Sequence, residues 1–297
     1  MYIRKLDIFE MEKWRHLIGT FILGCMLTYI VPFEYNLMRS IGISLNGSML
    51  NDFLYSVFII GGLEETAKII PVLLILKFTN AIDEPYDYIL YPSVSALGFA
   101  FLENIYYISE SGLYNIGGRA LYATVSHMVN SSIIGYGLLL MKYRYRNINK
   151  FVGFMFFFGL AMFSHGFYDF WLINGYASRF SILTVLFFLG TIHLWFIFKN
   201  NAINISNYFD ETKKLNNDSL LTYLLISIVS LLLLGYILIC LFYGVDAGNN
   251  YLIFAWVGYG YLVLYLGFSF SRYNIVRGYL HRLHVPLQFF IPRPVSK

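Results

Sequence analysis

Charge is the first thing this chain is short of. Asp, Glu, Lys and Arg make up 13% of its 297 residues, against roughly a quarter in a soluble domain, while 58% are hydrophobic. That shortage excludes an ordinary soluble globule and places the chain among integral membrane proteins. Cysteine is scarcer still. Cys25 and Cys240 each stand alone in apolar runs with no second Cys or His at ligand spacing. This excludes a disulfide framework and a thiolate metal site, and leaves both as small buried hydrophobes. There is no GxSxG serine-hydrolase pattern and no HExxH zinc-protease helix. The net charge of +4 comes from basic residues scattered over loops, so no nucleic-acid partner is expected.

What is present is a succession of long apolar runs. Eight are long enough to span a bilayer, at about 14–33, 53–78, 88–108, 118–141, 151–173, 179–198, 220–243 and 250–270. The fold expected is therefore all-α, a polytopic membrane protein of about eight transmembrane helices. Lacking a small-residue cleavage site, the first run reads as a retained anchor. With the N-terminus on side one, that side collects 17 Lys and Arg residues and the other side only Arg39, Arg119 and Arg179. Both termini are expected to be cytoplasmic by the positive-inside bias. Residues 1–52 read as an anchor helix and outer loop, 53–173 as a four-helix core, 174–270 as accessory helices and 271–297 as a basic, solvated or membrane-surface tail. The polar stretch 199–219 reads as a cytoplasmic loop.

Polar groups inside the apolar runs single out the 53–173 core. The second run carries Glu64, Glu65 and Lys68, spaced three and four apart so that one helical face holds all three. The third carries Glu103 and Asn104, the fourth His127 with Asn130 and Ser131, and the fifth His165 and Asp169, again four apart. Ionised groups near the bilayer centre cost roughly 2.5–3.5 kcal/mol each, so such a concentration marks function. From the outer ends of their runs, Glu64, His127, His165 and Glu103 lie about 16, 13, 12 and 8 Å deep at 1.5 Å per residue. All fall in the outer half of the bilayer, as one shared cavity requires. Asn130 and His193 read as helix–helix hydrogen bonders, and Lys68 as the neutralising partner of Glu65. Gly61, Gly62 and Pro71 flank the carboxylates and let helices or water approach the backbone.

These residue types suit water activation. Two adjacent carboxylates in a low-dielectric cavity cannot both ionise cheaply, which fits one of them for proton transfer near neutral pH. A nearby His can relay the proton, a second His oriented by Asp169 can donate to an oxyanion, and Asn104 offers a further neutral donor. Alternatively, one Glu and two His from different helices bind Zn²⁺ through three ligands. An ion-coupled transporter also keeps buried Glu, Lys and His, but is expected to show inverted repeats with polar breaks in both halves, and the last three runs lack them. Tyr168-Asp169 matches half of an aspartyl-protease pair whose second membrane Asp is missing.

In order along the chain stand Glu64-Glu65-x-x-Lys68, Phe99-x-x-x-Glu103-Asn104, His127 with Gly135 eight residues on, and His165-x-x-x-Asp169. This succession closely resembles the PrsW family of bacterial intramembrane proteases, relatives of the type II CAAX prenyl endopeptidases. The resemblance implies a multi-pass protein of the bacterial cell membrane that cuts a membrane-anchored substrate near the outer face. A single-span anti-sigma factor is the partner so implied. It makes Glu64 the general base, helped by His127, and His165 the oxyanion stabiliser; Glu65, counted with these three as catalytic, shapes and polarises the site, with Lys68, Glu103, Asn104 and Asp169 in supporting roles. A metal-free mechanism with no cofactor is expected. If the enzyme is zinc-dependent, the ligands are Glu64, His127 and His165.

Overall fold

The computed structural model describes residues 2–213, 217–270 and 275–281. Lys214, Arg272, Arg282, Arg293 and Lys297, and with them most of the expected basic tail, lie outside the described residues. About 80% of the chain is helical and no strand occurs among the described residues. The helices are α1 (Tyr2–Lys5), α2 (Trp14–Thr28), α3 (Ile30–Ser40), α4 (Met49–Leu54), α5 (Gly62–Phe78), α6 (Asp87–Ser111), α7 (Ile116–Gly118), α8 (Thr124–Tyr143), α9 (Lys150–Ile173), α10 (Ile182–Asn204), α11 (Asn217–Tyr243) and α12 (Val245–Phe270).

All eight apolar runs fall in helix, but among the described residues four stretches are long and apolar enough to cross a membrane: Trp14–Ser40, Lys150–Ile173, Ile182–Asn204 and Asp218–Tyr243. The expectation of eight is thus reduced to four on length and apolarity. The physical reason lies in the site. α6 and α8 carry Glu103, His127 and a series of buried Ser and Tyr side chains that dilute their apolarity, while α5, which bears Glu64, Glu65 and Lys68, is cut to 17 residues by the π-helical segment ahead of it.

Two boundaries differ from the sequence reading. The first span does not end at residue 33: α2 and α3 follow each other through Tyr29, and helix continues to Ser40. Pro32 has no N–H for the Thr28 carbonyl four residues back, which accounts for a break at this place without loss of the helix. In the expected loop 199–219, the first six residues are the buried end of α10. There Asn201 and Asn204 pair with the backbone of 275–281: the Asn201 amide donates to the His281 carbonyl at 3.0 Å and accepts from its N–H at 2.6 Å, and Asn204 accepts from the Val276 N–H at 2.9 Å. These side-chain amides give 275–281 the partners that a solvated tail would find in water.

α6 is the central helix, packed on α2 along one side and α8 along the other, while α9 covers α8. The α6–α8 crossing explains the Gly135 of the sequence motif. Pro92 deprives the Tyr88 carbonyl of its helical donor, and Gly135 lies directly against that carbonyl and 2.7 Å short of Pro92 Cγ when a Cβ is added. Only a residue without a side chain lets the two helices meet so closely.

Two π-helical segments precede the site. Tyr55–Gly61 runs into α5 just ahead of Glu64, and Arg119–Ala123 runs into α8 just ahead of His127. Such wide turns shift the register of the side chains that follow and are frequent at functional sites. The first lies tightly on α9, where a Cβ on Gly61 would come within 2.6 Å of the Met162 carbonyl oxygen. Just ahead of this π segment, Asp52 of α4 accepts from Nδ2 of Asn174, the residue that ends α9, at 2.8 Å.

Candidate active site

The four motif-bearing helices bring their polar side chains into one cluster. At its floor is Lys68, with no solvent exposure. Its Nζ donates to Glu65 Oε1 at 3.0 Å, to Glu64 Oε2 at 3.2 Å and to His127 Nδ1 at 2.7 Å, lies 3.4 Å from His165 Nδ1, and sits 4.6 Å over the Phe99 ring. It does more than neutralise Glu65, because it touches both carboxylates and both imidazoles. An ammonium only donates, so Nδ1 of His127 is the acceptor and the ring proton lies on Nε2. That proton faces Glu103 Oε2 at 2.8 Å.

His165 is flanked by carboxylates: Nδ1 meets Glu65 Oε1 at 2.9 Å, and Nε2 meets Asp169 Oδ2 at 3.2 Å and Glu64 Oε2 at 3.4 Å. Glu65 is fully enclosed and also accepts from the Ser131 hydroxyl at 2.7 Å. Asn130 accepts from Ser164 Oγ at 2.6 Å, an α8–α9 bond. The cluster opens toward the mouth, where the side chains of Asp169 and Arg119 are 21% and 22% exposed, against 7% for Glu64 and His127. Above it is a cavity of about 470 Å³ lined by Tyr35, Glu64, Glu103, Arg119, His127, His165 and Asp169 among others.

Asn104 does not line this cavity. Its amide donates to Thr124 Oγ1 at 2.9 Å and its oxygen accepts from Arg119 Nε at 2.9 Å, so the free donor expected from the sequence is committed to holding α8 and Arg119. Two participants carried no motif signal. Arg119, read as a loop cation, reaches from the second π segment to Glu103 Oε2 at 2.7 Å. Tyr35, assigned to an outer loop, lies on α3 and donates to Glu64 Oε1 at 2.9 Å. The one sequence cue for Arg119 is its rarity, as one of three cations on the outer side of the positive-inside count. For Tyr35 there is none.

Four carboxyl groups, Glu64, Glu65, Glu103 and Asp169, meet two basic side chains, Lys68 and Arg119, a formal excess of two acidic groups beside the two imidazoles. One ligand atom each from Glu64, His127 and His165 lies within 4.8 Å of the others. Glu103 and Glu65 hold the far nitrogen of each imidazole, the arrangement that orients histidine ligands. Glu64, His127 and His165 are by type and spacing the residues that could hold a divalent ion, and such an ion would have to displace the Lys68 ammonium from His127 Nδ1 and Glu64 Oε2.

Residues 12–196 match the family described as "PrsW family intramembrane metalloprotease", a wider stretch than the motifs alone. Protease PrsW of Clostridioides difficile (strain 630) is 30% identical over 220 residues, 72% of this chain and 87% of the relative. Protease PrsW of Geobacillus kaustophilus (strain HTA426) is 30% identical over 172 residues, 58% and 73% of the two chains. That of Oceanobacillus iheyensis (strain DSM 14371 / CIP 107618 / JCM 11309 / KCTC 3954 / HTE831) is 32% identical over 183 residues, 61% and 79%. No solved structure matches. With most of its length matched and the motif side chains gathered in one buried cluster, the chain belongs to the PrsW family of intramembrane proteases.

Proposed function

We propose that this protein is a multi-pass endopeptidase of the bacterial cell membrane, both termini inside, that hydrolyses a membrane-anchored protein near the outer face with water activated at Glu64. α5, α6, α8 and α12 complete the set of spanning helices in this reading. The observation that carries it is the position of Glu64: one carboxylate oxygen faces the inner cluster of Lys68 and His165 and the other faces the cavity side. A water on the cavity-side oxygen gives its proton to Glu64 as its oxygen adds to the scissile carbonyl carbon. The carbonyl electron pair moves onto oxygen, and His165, fixed by Glu65 and Asp169, lies beside the charge that develops. When the C–N bond breaks, the proton held by Glu64 passes to the departing amine. Lys68 and Glu103 keep His127 in one tautomer throughout. A single-span regulator such as an anti-sigma factor is the substrate class, on the strength of the family resemblance.

A second reading is favoured by the excess of acidic over basic side chains and by the carboxylates behind each imidazole. In it Glu64, His127 and His165 hold Zn²⁺, which supplies Lewis-acid polarisation and a more acidic bound water. The two readings give Glu64 different work, base in one and ligand in the other.

The test is cleavage of a single-span reporter by the purified chain in proteoliposomes. Glu64→Gln is expected to abolish the product while the protein remains folded. Retained cleavage overturns Glu64 as the centre in either reading, and ion flux without cleavage overturns the protease. Metal content of the active protein separates the two mechanisms: stoichiometric zinc, with activity lost to a chelator and restored by Zn²⁺, replaces the metal-free route.

A further inference from the structure

The two oxygens of Glu64 have unlike surroundings. Oε2 lies among Lys68 Nζ at 3.2 Å, His165 Nε2 at 3.4 Å and His127 Nδ1 at 3.8 Å. Oε1 accepts, among the described residues, one hydrogen bond, from the Tyr35 hydroxyl at 2.9 Å. Tyr35 comes from outside the four motif-bearing helices, on α3 beyond the break at Tyr29. Its ring packs on a small separate cluster of Val31, Ala67 and Phe99. Val31 is the one buried residue of α3, and the helix otherwise presents exposed side chains such as Phe33 and Leu37. Tyr35 is thus an aromatic arm on a lightly anchored helix, ending on the oxygen that faces the reaction.

Resting on the hydrolase reading above, we infer that Tyr35 is a catalytic residue whose hydroxyl leaves Glu64 Oε1 when substrate fills the cavity and donates its hydrogen bond to the carbonyl oxygen under attack. A carboxylate oxygen already accepting from a phenol is a poorer proton acceptor, so activation of water at Oε1 requires that bond to be exchanged. The acceptor that replaces it is at hand. A water on Oε1 stands within one hydrogen bond of the carbonyl carbon it attacks, which places the carbonyl oxygen within reach of the same phenol. No bond to Tyr35 forms or breaks; its proton stays on the phenol and only the acceptor changes.

Several other donors in and beside the cavity are already engaged, and none of the remaining cavity hydroxyls, on Tyr107, Ser126 and Tyr168, is bonded to Glu64. The Asn104 amide is turned to Thr124, the Arg119 guanidinium is spent on Glu103 and Asn104, the Tyr122 hydroxyl is bonded to Tyr261 and Gly258, and both His165 nitrogens face carboxylates. Tyr35 is the phenol already bonded to Glu64, which places it to share the oxyanion with His165, and until substrate arrives its hydrogen bond lowers the basicity of Oε1.

The test is Tyr35→Phe in the full-length protein in proteoliposomes, with the single-span reporter used above. The ring and its packing remain, so thermal stability is expected to match the unaltered protein. kcat is expected to fall on the order of 100- to 1,000-fold, the size of losing one oxyanion donor, with KM little changed. A second protein carries 3,5-difluorotyrosine at position 35, whose phenol loses its proton at lower pH. Its kcat should fall off at lower pH than that of the unaltered protein, a shift that a merely structural ring would not cause. Cleavage by Tyr35→Phe within a few-fold of the unaltered rate, a fall expressed only in KM, or an unmoved pH profile for the fluorinated protein each overturns the inference. Absence of cleavage by the unaltered protein instead defeats the protease reading on which it rests.

Discussion

Replacing Lys68 with Met keeps the length and apolar stem of the side chain and removes its charge, and the expected result is a large loss of activity with a small loss of stability. Two of the Lys68 partners, Glu64 and Glu65, lie on its own helix at i−4 and i−3. They stay beside it when helices separate within a membrane, so those ion pairs count on both sides of the unfolding equilibrium. Only the contacts to His127 at 2.7 Å, His165 at 3.4 Å and the Phe99 ring at 4.6 Å cross between helices. Interhelical hydrogen bonds in membrane proteins contribute about 0.6 kcal/mol on average and about 1.7 at most. The cost of Lys68→Met is then about 1–3 kcal/mol. Cleavage, by contrast, should drop at least 100-fold, because His127 loses the donor that fixes its tautomer and Glu64 loses its counter-charge. Unfolding of the purified variant in detergent by denaturant titration gives the first quantity, and reporter cleavage in proteoliposomes gives the second. A stability loss above about 5 kcal/mol would mean that the ion pairs are tertiary after all, as in a buried soluble pair. Activity within a few-fold of the unaltered protein would remove Lys68 from the site.

Gly135→Val should lower stability by about 1–3 kcal/mol through overpacking against the Tyr88 carbonyl and Pro92, and should cost activity as well, because the same crossing sets the 2.8 Å Glu103–His127 contact; an unchanged melting temperature refutes it. At the N-terminal end, burial pushes the Asp7 carboxyl up to about 8, with Glu84 beside it adding to the effect. A carboxyl raised in the folded state holds a proton that the unfolded chain releases near pH 4, so its contribution is present below about pH 4 and is lost as pH rises through about 8. Hydrogen exchange in residues 3–12, corrected for intrinsic rates, should therefore quicken between pH 6 and 9, and Asp7→Asn should abolish that dependence; identical profiles for the two proteins refute it.

How much of the site was legible depends on what each residue has to carry into the membrane. Glu64, Glu65, Lys68, Glu103, His127, His165 and Asp169 are conspicuous because ionisable groups are costly there, and the structure brings them into one cluster. Tyr35 was invisible for the opposite reason. Tyrosine is at home at a membrane interface, among 26 tyrosines in the chain one more draws no attention, and the helix bearing it begins at a break that reads as the end of a span. Arg119 was visible as a cation but not as a partner, since its reach to Glu103 depends on the π segment at Arg119–Ala123, and no sequence period announces a wide turn. The Asn residues at the end of α10 misled in a similar way. Side-chain amides look like loop chemistry until a second backbone segment, here 275–281, arrives to use them.

The count of spans turns on the same physics. A helix that carries catalytic groups gives up apolar positions to hold them, and a helix re-registered by a π segment is also interrupted, as α5 is to 17 residues. Apolarity therefore fails first in the helices that matter most: α5, α6 and α8 fall below what α9, α10 and α11 reach. What secures the polar helices is their position, enclosed by neighbours rather than facing lipid. Glu65, Lys68, Ser93, Ser95 and Ser131 have no measurable exposure, so the cost of their polarity is met by partners within the protein. Weak hydropathy combined with burial thus marks three of the four site-bearing helices, whereas α9, whose His165 and Asp169 lie near its end, keeps the strong hydropathy of the helices around the site.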